Sequence, residues 1–136
     1  MASNYLRTQL NTHMFGTASY TKPTVLAIAL CTTLPTPYQT GATIPELPNT
    51  GGYARQVLNP LDSHWEVDGG VVTNSVAITF PVATADWEEV EYVAILDSAT
   101  WGAGNLLYFG GLDHPKSIYQ TDQLVIGIGG IIIKTI

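Results

Sequence analysis

Hydrophobic positions along this chain follow three kinds of pattern, and each predicts a different element. Leu6, Leu10 and Met14 recur every four positions between Ser3 and Phe15, on one stripe of a helix. Ser3 stands where an N-cap belongs and Gly16 where a helix stops, so a short helix is expected over residues 3–15. A helix of this length is marginal alone. Its stripe must pack either on the chain's own body or on a partner.

The second pattern is continuous. Thr24–Thr32 is an apolar run closed by Pro35 and Pro37, which suits a strand buried on both faces. The third pattern alternates: Val76, Ile78 and Phe80 are separated by Ala77 and Thr79, the period of a half-buried strand. Trp65–Val67 and Val71–Thr73 flank Asp68-Gly69, the strongest hairpin signal in the chain. Further strands are expected at Tyr53–Leu58, Val90–Leu96, Leu106–Gly110, Ile118–Tyr119 and Leu124–Lys134, the last with Gly129-Gly130 as a bulge or corner. Between them, residues 33–52 carry Pro35, Pro37, Pro45, Pro48, Gly41, Gly51 and Gly52 and read as a surface loop. Short strands at regular spacing predict an all-β fold, an antiparallel β-sandwich of Ig-like or jelly-roll-like type with one N-terminal helix. At 136 residues the chain is expected to form a single domain, 1–136.

Composition changes the picture in one respect. Hydrophobic residues make up 46% and charged residues 12%, the latter about half the usual share. So little surface charge removes a common barrier to association and points to a protein that assembles. An ordinary Thr- and Ser-rich β surface is the alternative. The net charge is -6, and the basic residues are scattered at Arg7, Lys22, Arg55, Lys116 and Lys134, so no stripe for nucleic acid can be built. No apolar stretch has the length of a membrane span, and the N-terminus lacks the basic start and apolar middle of a secretory signal. A protein made in the cytoplasm, without nucleic-acid or membrane partners, is expected.

Candidate chemistry is sparse. His13, His64 and His114 lack the close spacing common in zinc sites, and no cofactor or metal is expected. Lone Cys31 sits in the apolar run and reads as a buried small hydrophobe. No G-x-S-x-G elbow is present, and Gly127-Ile128-Gly129-Gly130 precedes no helix, so it fails as a phosphate loop. Asp86, Glu88, Glu89 and Glu91 form an acidic group without an EF-hand spacing, and Glu89 and Glu91 share a face if extended, which suits a solvated strand. Trp65, Trp87 and Trp101 could stack on sugars but more often pack; Trp101, in the Gly-rich turn Thr100–Gly104, is the one expected to be exposed and the candidate glycan contact.

Taken in order, several blocks resemble a family of small bacteriophage proteins labelled tail fibre or virion structural proteins. They are Tyr5-Leu6 through Met14-Phe15-Gly16, Ala18–Pro23, Val25–Leu30, Gly51-Gly52-Tyr53-Ala54-Arg55, Ala77–Pro81, Ala83–Trp87, Ile95-Leu96-Asp97 and Gly104–Leu107. The similarity covers nearly the whole chain. It implies a phage origin, a β-sandwich and no catalytic activity, and it transfers no active-site residues. The chain departs from the pattern in its longer Pro-rich segment and in an insert over residues 59–66, where partner contacts would be customised. The expectation is a virion protein without enzymatic activity, favouring a capsid decoration or cement protein because no shaft repeats or heptads are present; the alternative is a tail-fibre or receptor-binding module contacting host glycans. Partners would be further copies, as a homotrimer, and other virion proteins such as the major capsid protein or tail proteins. The candidate interface residues are Leu6, Leu10, Met14 and Phe15 on the helix and Pro35, Pro37, Tyr38, Pro45 and Pro48 in the loop.

Overall fold

The run Ala27–Cys31 forms a strand, β1, with all five residues buried, and it lies at the centre of the fold. The computed structural model describes residues 1–134. A helix, α1 (Asn4–Phe15), precedes β1; after it come β2 (Gln56–Val57), β3 (Trp65–Asp68), β4 (Val71–Asn74), β5 (Ile78–Thr79), β6 (Val90–Leu96), β7 (Leu106–Lys116), β8 (Val125–Ile126) and β9 (Ile132–Lys134). The strands pair in the orders β2-β1-β6-β7, β3-β4-β9 and β5-β8, antiparallel throughout. The chain is all-β with one short N-terminal helix.

Strand periodicity sorts the central sheet into two buried faces. Ile28 and Leu30 of β1, with Val93 and Ile95 of β6, point into the main core and meet Ile78, Phe80, Ile126, Ile131 and Ile133 from the smaller sheets. Ala29, Cys31, Ala94, Leu96, Leu106 and Phe109 point the other way and pack with Ile44 of the Pro-rich loop. Ala29 and Ala94 stand opposite each other in the ladder, so small side chains let the loop lie close to the sheet. This is why β1 reads as apolar without alternation: it has a core on each side.

The helix begins as its cap predicts. Ser3 Oγ accepts from Leu6 N at 3.1 Å and donates to the Leu106 carbonyl. The preceding residues run along the outer edge of β7, with Ser3 N donating to Leu107 O at 2.8 Å and Phe109 N to Met1 O at 2.9 Å. Strand β7 therefore has part of its open edge covered. The hairpin at Asp68-Gly69 is also present, with Asp68 paired to Val71 and Gly69 at φ 62°.

The expected strand Tyr53–Leu58 is strand only over Gln56–Val57, and two further expectations differ. Leu124–Lys134 is not continuous: β8 pairs with β5 and β9 with β4, and the corner between them is held by Asn74. Its amide donates to Gly127 O at 2.9 Å and accepts from Ile131 N at 2.9 Å, while Gly129 takes φ 76°. The Gly129-Gly130 pair is thus the corner. Ile118–Tyr119 is not a strand. Ile118 is buried and its carbonyl accepts from Trp87 N, but Asp122 captures Tyr119 N at 3.1 Å and turns the chain.

Cys31 is fully buried, and burial, with the nearby Glu46 carboxylate adding to it, pushes its thiol up to about 12 from 9.0. A folded-state value above the unfolded one gives stability that is complete below the unfolded value and lost as pH rises through the folded value. Stability is expected to fall between pH 8 and pH 10, by about 1.4 kcal/mol from this thiol. Urea denaturation across that range checks it: Cys31→Ala lowers stability overall and makes the slope shallower, the buried tyrosines keeping the remainder.

Candidate interaction site

Helix α1 is packed only at its root. Ala2, Leu6 and Leu107 form a small buried cluster with Tyr5, Tyr20, Leu26 and Tyr108 against it. Beyond that turn the stripe leaves the body: Leu10 is 44% exposed, Met14 70% and Phe15 88%. The helix therefore answers its own sequence both ways, with Leu6 internal and the other three outward. His13 Nδ1 accepts from Tyr20 N at 3.1 Å and ties the returning chain to the helix end.

Beside the helix lies a groove of about 410 Å³, lined by Leu6, Leu10, Leu26, Leu61, Trp65 and Val67 among others. Its far wall is the loop after β2 and the β3–β4 hairpin. Leu61 and Val67 are 53% and 70% exposed. In sequence they are single apolar residues among polar ones, a pattern too weak to single out.

The Pro-rich loop presents the second patch. Pro35 is fully buried; Pro37 and Pro45 are half-buried, Pro48 is exposed, and Tyr38 is 80% exposed. Leu6 and Pro35 are buried, so their side chains mainly fill internal space. The loop and the helix root are joined, since Asn4 N donates to Pro37 O at 2.7 Å.

What holds this loop is a buried ion pair that sequence reading did not find. Arg55 donates to both carboxylate oxygens of Glu46, at 2.9 and 2.8 Å, with side-chain exposures of 0% and 3%. Its remaining N–H groups reach Ser98 O at 2.9 Å, Ala103 O at 2.8 Å and Gly41 O at 3.3 Å, so the whole guanidinium fork is satisfied. Tyr53 completes the node: its hydroxyl donates to Glu46 at 2.6 Å and accepts from Leu30 N at 3.0 Å. Burial, and then the Glu46 carboxylate, hold the Tyr53 phenol far above its usual range. Gly41 is required here, for a Cβ would lie 1.9 Å from Ala103 O. The available signal was a lone basic residue beside Gly51-Gly52-Tyr53.

Each tryptophan closes a loop. The indole N–H groups donate to Leu58 O from Trp65 at 3.2 Å, to Gly51 O from Trp87 at 2.8 Å and to Leu47 O from Trp101 at 2.8 Å. Trp101 is 43% exposed and is the most open of the three; Trp87 packs edge-on against Tyr53 at 5.7 Å. Asp86, Glu88 and Glu89 are exposed, with Asp86 accepting from Gln120 N at 2.8 Å. Among the described residues no group of three His, Cys, Asp or Glu side chains gathers to hold a metal ion.

An all-β body whose buried polar side chains tie its loops together, with apolar residues displayed on a helix, has the character of a structural module. The chain belongs to the podophage GP4 fiber I protein gp80 family, whose model matches residues 1–134. It is thus of a phage fibre family, a structural component of the virion. No match was found among curated proteins.

Arg55→Leu is expected to destabilise the fold by about 3–5 kcal/mol, because it strands a buried carboxylate. Adding Glu46→Gln should recover part of that loss in equilibrium denaturation, and Gly41→Ala should cost about 2 kcal/mol or more through its clash.

Proposed function

We propose that this chain is a self-assembling fibre module of a podophage particle, seated on the tail and built as a homotrimer. The observation that carries the reading is the unpartnered apolar end of α1 on a member of a fibre family. Apolar side chains as open as Phe15 lose free energy in water and gain it in an interface. With so few charged residues on the chain, little opposes that association. The module joins copies of itself and the tail proteins next to it, and carries no reaction. In this setting Trp101 is the aromatic offered to a host-surface glycan.

Decoration of the capsid shell is the second reading, favoured by one feature: the chain is a single β body without shaft repeats. The two predict different places on the particle. Cryo-electron microscopy with gold-labelled antibody against this chain is expected to put it on the tail. Label spread over the icosahedral shell would overturn the fibre reading in favour of decoration.

A further inference from the structure

Helix α1 and the three residues before it form an arm that a single seat holds. Met1 and Phe109 exchange both backbone hydrogen bonds, at 2.7 and 2.9 Å. Ser3 N reaches Leu107 O and Asn4 N reaches Pro37 O, and Leu6 joins Leu107 in one buried cluster. Every one of these partners lies far along the chain from the arm. The stretch that joins arm to body, residues 16–26, contains no helix or strand and is mostly exposed, with the Tyr20 ring resting beside the root cluster. Among the described residues, 17–25 make a single hydrogen bond, from Tyr20 N to His13 Nδ1, which ties the stretch to the arm and not to the body. Fully extended, such a stretch spans up to about 35 Å, well beyond the roughly 14 Å radius of gyration of a domain this size.

An arm held by one seat and tethered by a loose stretch fits the same seat on another copy with the same bonds. We propose that copies of this chain exchange arms, so that the arm of one docks on β7 of the next and each seat in the assembly is filled by a neighbour. The seat itself selects the occupant: Met1–Leu6 is the segment whose backbone and side chains fit it. This rests on the self-assembly reading above and names the segment that performs it. What exchange adds is cover for the helix end. In a closed copy Met14 and Phe15 are 70% and 88% exposed, because the body ends beneath the first turn. In an exchanged copy that end lies between two bodies, the one that seats the root and the one to which residues 16–26 return. Burial there favours assembly, while the bonds of the seat are equal in both forms and cancel. One arm to one seat, repeated about a rotation axis, closes into a ring.

The test reads which chain fills the seat. Ala2 and Tyr108 stand opposite each other in an antiparallel bridge, next to the hydrogen-bonded Met1–Phe109 pair, at a position where side chains approach closely and a disulfide fits. Ala2→Cys with Tyr108→Cys in the full chain is oxidised and run on a denaturing gel without reductant. Covalent oligomers are expected, of the size that sedimentation velocity finds for the unaltered chain. Each single variant is the control against chance cross-links, Cys31 being fully buried. Asn4→Cys with Pro37→Cys, joined by a short bis-maleimide, reads the same seat if circular dichroism shows the first pair unfolded. Phe15→Asp, at an exposed position, is expected to weaken association about tenfold.

Cross-links confined to single chains, in a protein that sediments as an oligomer, overturn arm exchange and leave self-assembly standing through another face. Association unchanged in Phe15→Asp overturns the covering of the helix end. A monomer at every concentration in the unaltered chain overturns both arm exchange and the self-assembly reading.

Discussion

The buried pair of Arg55 and Glu46 is the constraint on which the outer layer of this fold depends. A charge without water is costly, and an ion pair in the interior offsets that cost only when its geometry and its remaining hydrogen bonds are complete. Here they are, because the guanidinium divides its donors among a carboxylate and three backbone carbonyls. Those carbonyls come from the Pro-rich loop and the turn after β6, and Tyr53 carries the link to β1. Two segments without regular structure are thereby given one position on the sheet. An apolar pair would fill the same volume without choosing among loop conformations, so the contribution of the charges is geometric.

Local patterns were the legible part of the sequence. The cap at Ser3, the stripe that follows it, the uninterrupted apolar run of β1 and the Asp68-Gly69 hairpin each depend on neighbours within a few residues. Their structure follows the pattern. Where a distant partner decides, the pattern was silent. Gly129-Gly130 marked a corner in the last apolar run, but nothing in the run's composition records the polar residue some fifty positions earlier, Asn74, that holds it. Likewise Arg55 looked like one of several scattered bases, since a bidentate partner leaves no periodic trace.

The candidate site was half visible for the same reason. Helical spacing put Leu6, Leu10, Met14 and Phe15 on one element, but spacing cannot say how far the body extends beneath it. The body ends after one turn, so Leu6 is core and the rest is surface. Prolines mark a loop without marking its depth; Pro35 lies inside it and Tyr38 outside. The groove wall at Leu61 and Val67 has no repeat at all and emerges only when the hairpin folds back beside the helix.

The docking of Met1–Ser3 along β7 has a consequence in time. Residues 1–3 are made about a hundred residues before their backbone partners at Leu106–Phe109. Until then the helix root has nothing beneath it, and a helix this short does not persist alone. Pairings of such long sequence separation form late and slowly. The outward face of α1 is therefore not presented as an ordered surface until the strand beneath its root has been made and has folded.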